Sequence, residues 1–142
     1  MADKFIAKVE VAIKAPLREV RLELTKPELI KQYLFDTVVT TDWRIGSPIT
    51  YRGVWEGKPY EDKGTIIQNE PERLLVSTYW SSLEGLADKR ENYKTVSYEL
   101  AAENGTTKLT LTQDNNASKE AAEHSEQNWK TVLGKLKELL EK

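Results

Sequence analysis

Apolar and charged residues alternate near the start of the chain, which predicts a β-strand with one buried face. The apolar positions of this strand are Phe5, Ala7, Val9, Val11 and Ile13. Pro16 is expected to end the strand, because proline suits the first turn of a helix.

Two short helices are predicted next. The first has apolar residues at Leu17, Val20, Leu22 and Leu24. Thr25 and Glu28 have the spacing of a capping box, so we expect a second helix to start there. That helix would bury Leu29, Ile30, Tyr33 and Leu34.

From Asp36 onward, short β-rich runs are separated by turn residues. The predicted strands are 38–43, 49–55, 65–69, 74–80, 93–101 and 106–113, with a loop around 57–59 and another over 81–92. Asn104-Gly105 is the favoured pair for a tight hairpin turn between the last two strands.

The last segment, 118–141, is predicted to be one long amphipathic helix. Its apolar stripe is Trp129, Val132, Leu133, Leu136 and Leu140. Strands joined by short turns, without intervening helices, argue against a parallel sheet. The long helix must bury its stripe, and the open antiparallel sheet is the large surface available to it. The prediction is an α+β fold in one domain spanning 1–142.

Composition excludes several classes of function. The chain has 142 residues, a net charge of −2, and no cysteine. This charge gives no basic surface for nucleic acid or for an anionic membrane, and the missing cysteines exclude disulfides and thiolate ligands. No apolar run reaches the length of a membrane span. We therefore expect a cytoplasmic protein. We also expect no cofactor and no metal, since no metal-binding or phosphate-binding motif is present.

Several short motifs resemble a known family. They are Ala15-Pro16, Trp43-Arg44-Ile45-Gly46, Gly64-Thr65-Ile66, Pro71-Glu72-Arg73-Leu74, Val96-Ser97-Tyr98-Glu99-Leu100, Thr107-Lys108-Leu109-Thr110-Leu111 and Asn128-Trp129. In this order they resemble the homologues of the activator of heat-shock protein 90 ATPase, a branch of the START-like (SRPBCC) superfamily. The resemblance implies a helix-grip fold, in which a curved sheet wraps around the C-terminal helix and leaves a cavity. It also implies functions that range from lipid and polyketide binding to chaperone contact.

One face of the last helix has bulky side chains in its C-terminal half and small side chains in its N-terminal half. Ser118, Ala121, Ala122 and Ser125 continue the face of the apolar stripe at about 100° per residue. Small residues facing a concave sheet could leave room for a ligand. The alternative is that they let the helix and the sheet approach closely.

Aromatic residues supply the other candidates for a ligand site. The chain has four Trp and six Tyr against two Phe, and rings with a polar group suit a mostly apolar pocket. The alternative is a packed core whose hydroxyls and indole nitrogens bond to backbone. The predicted ligand-binding residues are Tyr33, Tyr51, Trp55, Trp80, Tyr98, Ala122, Ser125 and Trp129.

No residue pattern predicts catalysis. His124 is the only histidine, and it lies about 140° from Trp129 on the helix, so we expect it in solvent. Arg52 and Tyr51 are neighbours on a strand, so only one of them can point inward. The carboxylates Asp62 and Glu70 flank turns and are expected to be solvated.

Three functions remain open. The first is binding of a small apolar, aromatic or acyl-type ligand. The second is contact with a chaperone or another protein partner. The third is a cyclase-like or dehydratase-like enzyme, which would require a buried carboxylate or arginine at a cavity wall.

Overall fold

The computed structural model describes residues 5–34, 36–81 and 85–141, without the side chain of Trp55. Its elements are β1 (Ala7–Ile13), α1 (Leu17–Thr25), α2 (Pro27–Tyr33), β2 (Val38–Thr40), β3 (Pro48–Trp55), β4 (Lys58–Glu70), β5 (Leu74–Tyr79), β6 (Lys94–Glu103), β7 (Thr106–Gln113) and α3 (Lys119–Leu140). The strands form one antiparallel sheet in the order β1-β7-β6-β5-β4-β3-β2. The predicted α+β helix-grip fold is confirmed.

The core lies between α3 and the inner face of the curved sheet. The stripe residues Val132, Leu133 and Leu136 of α3 are buried, and Leu109 and Leu111 of β7 are fully buried. Burial of each such side chain contributes about 1.5–3 kcal/mol. The amphipathic pattern of the last helix therefore predicts its docking face correctly.

Two tight hairpin turns have adjacent residues with positive φ. Asn104 and Gly105 have φ of +49° and +83° between β6 and β7, as the sequence predicts. Glu56 and Gly57 have φ of +50° and +80°, and they connect β3 directly to β4. The loop predicted around 57–59 is therefore wrong beyond Gly57, because residues from Lys58 onward pair with β3.

The capping box predicted at the start of the second helix does not form. Thr25 is the last residue of α1, and its hydroxyl donates to the Arg21 carbonyl at 2.9 Å. Lys26 caps α2 without a side-chain hydrogen bond. The Thr25 side chain is thus used within the preceding helix.

The first strand after the helices is shorter than predicted. β2 ends at Thr40 rather than residue 43, and Trp43 has a positive φ of +65°. The Arg44 N–H donates to the Asp42 carboxylate at 2.9 Å. This local turn, typical of Asp, replaces the strand hydrogen bonds.

Side chains of α3, and of Glu141 at its C-terminal end, bond to backbone groups of the edge strand β1 and of Lys14, which follows β1. Glu126 accepts from the Lys8 N–H at 3.2 Å, Glu141 accepts from the Lys14 N–H at 2.7 Å, and Lys137 donates to the Ala12 carbonyl at 2.6 Å. α3 starts at the predicted place, since the Ser118 hydroxyl accepts from the Ala121 N–H. Across the described ranges, no helix combines the length and apolar character that crossing a membrane requires.

Gly64→Ala is expected to destabilise the sheet. A Cβ at Gly64 of β4 would overlap the backbone carbonyl of Thr78 on β5, so the two strands must separate. We expect the free energy of unfolding, measured by urea denaturation, to fall by about 1–3 kcal/mol. The control is Gly134→Ala in α3, where a Cβ meets no atom within 4 Å and alanine favours the helix by up to ~1 kcal/mol. Equal effects of the two variants would contradict the close approach.

Candidate functional site

A cavity of about 370 Å³ lies between the inner face of the sheet and the N-terminal half of α3. Its volume falls within the range of roughly 300–1,000 Å³ that is usual for small-molecule sites. The lining residues come from the segments after α2 and after β5, from strands β3 to β7 and from α3. They are Leu34, Thr37, Tyr51, Tyr60, Asp62, Tyr79, Ser81, Val96, Tyr98, Gln113, Ser125, Asn128, Trp129 and Val132.

Aromatic rings form two edge-to-face pairs in the cavity wall. The centroids of Tyr98 and Trp129 are 6.2 Å apart with an interplanar angle of 87°. Those of Tyr51 and Tyr79 are 5.5 Å apart with an angle of 72°. This geometry is the favoured one for aromatic pairs, so the rings hold each other in position around the empty volume.

A chain of hydrogen bonds fixes the helix side of the cavity. The Trp129 indole donates to Gln113 Oε1 at 2.6 Å, and Gln113 Nε2 donates to Asn116 Oδ1 at 3.3 Å. The Ser125 hydroxyl donates to the same Asn116 oxygen at 3.1 Å. Gln113 and Asn116 are buried, and these bonds satisfy polar atoms that would otherwise be costly to bury. They tie α3 to the end of β7.

Asp62 places a carboxylate on the sheet side of the cavity. It is 5% exposed, which overturns the expectation that it is solvated. The Tyr79 hydroxyl donates a hydrogen bond to Asp62. Across the β3–β4 pair, Tyr51 is directly opposite Asp62. The strand was predicted to begin at residue 65. With its true start at Lys58, period-two alternation puts Asp62 on the same face as buried Ile66.

Tyr60 reaches the cavity across a glycine. A Cβ at Gly53 would collide with the Tyr60 ring, so the missing side chain provides the space in which this ring lies. The Tyr60 hydroxyl is 2.6 Å from the Thr37 hydroxyl. A residue without a side chain on β3 therefore sets the position of one aromatic wall on β4.

The hydroxyls of two cavity tyrosines, Tyr51 and Tyr98, have a raised pKa and remain protonated at neutral pH. Burial raises the pKa of Tyr51 to about 12, a hydrogen bond with Ser77 opposes this shift, and the charge of Asp62 adds to it. Burial and the nearby Tyr51 also raise the pKa of Tyr98. Both groups can therefore donate a hydrogen bond to a ligand across the physiological pH range.

Four of the predicted ligand-binding residues line the cavity, namely Tyr51, Tyr98, Ser125 and Trp129. Ala122 is buried on α3, but it is not part of the cavity lining. The side chain of Trp55 lies outside the described residues. Whether these residues bind a ligand stays a prediction.

Tyr33 and Trp80 have other surroundings. Tyr33 is buried in the core, and its hydroxyl donates to the Glu23 carbonyl at 3.1 Å. Trp80 stacks on Tyr93 with ring centroids 6.3 Å apart, and its indole donates to the Ala87 carbonyl at 3.1 Å. Neither lines the cavity. Trp80 instead packs on the segment between β5 and β6.

The remaining polar candidates lie at the surface. Arg52 is exposed and pairs with Glu61 at 2.8 Å, so Tyr51 is the inward residue of that pair of neighbours. His124 is exposed on α3, as its helical position predicts. Within residues 5–34, 36–81 and 85–141, no group of three or more His, Asp or Glu side chains could hold a metal ion.

Comparisons with known proteins give one matching family model and several solved structures of the same fold. Residues 14–141 match the family model described as Activator of Hsp90 ATPase homolog 1-like protein. The solution structure of ChR145 from Cytophaga hutchinsonii is 45% identical, with a TM-score of 0.87 over 99% of this chain and 97% of that one. No curated protein matches the sequence.

Two more distant structures share the fold alone. The Aha1 dimer from Colwellia psychrerythraea is 17% identical, with a TM-score of 0.73 and coverage of 96% of both chains. DynU16, a protein in the dynemicin biosynthetic locus, is 18% identical with a TM-score of 0.80. That match covers 97% of this chain and 48% of DynU16.

Ionisation of Tyr51 is expected to lower stability in alkali. An unfolded tyrosine loses its proton near pH 10, whereas burial raises the pKa of Tyr51 in the folded protein to about 12. The unfolded state therefore loses protons first, and stability falls as the pH rises from about 10 through about 12. Urea denaturation across this range should show a shallower fall for Tyr51→Phe than for the wild type. An identical slope in both proteins would contradict the assignment.

Proposed function

The chain belongs to the Activator of Hsp90 ATPase homolog 1-like family, and from this premise we propose that it binds a small, largely apolar ligand between the sheet and α3. The observation that carries the proposal is the cavity of about 370 Å³ with aromatic rings in its wall. A space of this size has room for a ligand of two or three rings. The aromatic rings of the cavity would bury the apolar part of the ligand, and the few polar atoms of the cavity would fix the orientation of the ligand.

The walls of the cavity support a preformed site. The edge-to-face pairs and the bonds from Trp129 to Gln113 and from Ser125 to Asn116 hold the side chains in place without a ligand. A site whose side chains are already ordered loses less conformational entropy on binding. One solved protein of the same fold, DynU16, is in a biosynthetic locus, a setting where small organic molecules are made.

A catalytic use of the same cavity is the second candidate, and Asp62 is the observation that favours it. A buried carboxylate at a cavity wall, bonded to the Tyr79 hydroxyl, is a pair that could move a proton to or from a ligand. Cyclisation and dehydration both require such proton transfer. The substrate would lie against the aromatic rings that the binding proposal already uses.

A protein partner, such as a chaperone, is the weaker alternative. The most exposed large apolar side chains among the described residues are Ile45 at 67% and Val54 at 63%. Ile45 precedes β3 and Val54 lies near its far end, so the two are at opposite ends of the strand. They form no common patch of the kind that marks a protein interface.

Ser125→Leu is expected to block the cavity with little loss of stability. Ligands are sought by thermal shift against lipids, flavonoids, polyketides, aromatic alcohols and aromatic acids. A ligand at 100 times its Kd stabilises by about 2.7 kcal/mol, a shift of several degrees. In Ser125→Leu the bulky side chain should abolish that shift, while the lost bond to Asn116 costs about 1 kcal/mol.

The matched control for Ser125→Leu is His124→Leu, which adds an apolar side chain at the neighbouring exposed position of α3. It should keep the full ligand-induced shift. A ligand that stabilises Ser125→Leu as strongly as the wild type binds elsewhere, and would contradict the cavity proposal.

Asp62→Asn tests the catalytic candidate. A ligand found in the screen is incubated with the protein, and its conversion is followed by mass spectrometry. If Asp62 transfers a proton, the variant should lower turnover by about 10²–10⁴-fold while the ligand still gives a thermal shift. Turnover that persists in Asp62→Asn would remove this residue from the chemistry, and wild-type protein that converts no bound ligand would leave binding as the function.

A further inference from the structure

Several polar side chains of the cavity wall are already bonded within the protein. Hydroxyl groups with such a partner are paired as Tyr51 with Ser77, Tyr60 with Thr37, Tyr79 with Asp62, and Ser125 with Asn116. The indole N–H of Trp129 donates to Gln113 at 2.6 Å. A ligand gains little net free energy from a group that must first give up such a bond.

Tyr98 differs from these residues. Its ring lines the cavity, but no hydrogen bond joins its hydroxyl to any residue that the structure describes. Burial and the nearby Tyr51 raise the pKa of Tyr98, so the hydroxyl keeps its hydrogen at neutral pH. A donor that lacks an acceptor in an apolar cavity is costly. A ligand that brings an acceptor would remove this cost.

The position of the Tyr98 hydroxyl is fixed before a ligand arrives. On β6, Tyr98 lies opposite Leu75 of β5 and Leu111 of β7, which are both buried. Trp129 packs edge-to-face on the Tyr98 ring, and the bond to Gln113 holds Trp129 in turn. A donor whose side chain is held by packing loses little conformational entropy when a ligand binds.

Asn128 supplies another polar group of the wall, but in a different setting. Asn128 is exposed on α3, so bulk water competes with a ligand for its amide. Tyr98, by contrast, packs against the hydrophobic core. We therefore expect selectivity between ligands to come from the Tyr98 hydroxyl rather than from Asn128.

We propose that Tyr98 determines the ligand class of the cavity: its hydroxyl donates a hydrogen bond to the carbonyl oxygen of an aromatic ketone or aldehyde. This inference rests on the binding function proposed above and narrows it. A carbonyl oxygen has two lone pairs and brings no hydrogen that would need a further acceptor. It can therefore accept the bond from Tyr98 without disturbing the bonded hydroxyls around it. The aromatic part of the ligand would pack against the rings of the wall.

Two probes of nearly equal shape test the proposal: 2-acetonaphthone and 2-isopropenylnaphthalene. The second has a methylene group where the first has its carbonyl oxygen, so it offers no oxygen acceptor. Their Kd values for the full chain are measured by NMR titration of the isotope-labelled protein at neutral pH. The indole N–H of Trp129 reports on the cavity, because this side chain lines it. We expect both probes to shift that signal, since both fill the same apolar space.

Tyr98→Phe removes the hydroxyl and keeps the ring. In this variant the Kd of 2-acetonaphthone should rise at least about fivefold, whereas that of the hydrocarbon should change by less than about twofold. Tyr33→Phe is the matched control, because it removes a tyrosine hydroxyl that bonds to the Glu23 carbonyl away from the cavity. It should leave both Kd values unchanged.

A second measurement can be read from the wild-type protein alone. The carbonyl group of 2-acetonaphthone is labelled with heavy isotopes, and its infrared stretching frequency in the bound state is compared with that in hexane. A hydrogen bond donated to the oxygen weakens the C=O bond. The frequency should therefore be lower in the protein than in hexane.

The outcomes separate the inference from the function on which it rests. If neither probe binds, the proposed binding function fails and the inference fails with it. If the probes bind but Tyr98→Phe changes both Kd values equally, binding stands and the role of Tyr98 is overturned. The same holds if only the hydrocarbon binds, if the carbonyl frequency matches that in hexane, or if Tyr33→Phe weakens 2-acetonaphthone as much as Tyr98→Phe does.

Discussion

The docking of the C-terminal half of α3 onto the sheet is the interaction from which the rest of the molecule follows. Val132, Leu133 and Leu136 are buried against the inner face, and this burial sets where the helix lies and how closely it approaches. In the N-terminal half of the helix, the side chains that face the sheet are smaller and more polar. The cavity is the space left where tight apolar packing stops, at Val132 and Trp129.

Polar bonds take over where the apolar packing ends. The chain of hydrogen bonds from Trp129 through Gln113 to Asn116 keeps the N-terminal half of α3 beside β7. These bonds act together with the edge-to-face contact of Tyr98 and Trp129 to hold this part of the helix above the cavity. The same hydrogen bonds that stabilise the helix thus also keep the cavity open.

Sequence patterns predict the features that depend on residues close together in the chain. The Asn104-Gly105 turn and the stripe on α3 follow from φ preferences and from the helical period. Asp62 could not be assigned in this way, because its burial depends on where β4 begins. Glutamate is a weaker turn residue than asparagine, so the sequence does not reveal the tight Glu56-Gly57 turn, in which Glu56 has φ of +50°. Without that turn, the sequence places the start of β4 at residue 65 instead of Lys58. The spacing of Thr25 and Glu28 predicts a cap for α2, but the Thr25 hydroxyl donates to the Arg21 carbonyl of α1 instead. Residue spacing alone does not distinguish these two roles.

The bonds from α3 to β1 have a consequence for association between chains. An edge strand with free N–H and C=O groups is a template on which another strand can add, and so a route to aggregation. On β1 and the residue after it, Glu126, Glu141 and Lys137 occupy the N–H groups of Lys8 and Lys14 and the carbonyl of Ala12. A strand from a second molecule would have to displace charged side chains of the helix before it could pair there. At the opposite edge of the sheet, β2 has only three residues, too few to offer a long pairing surface.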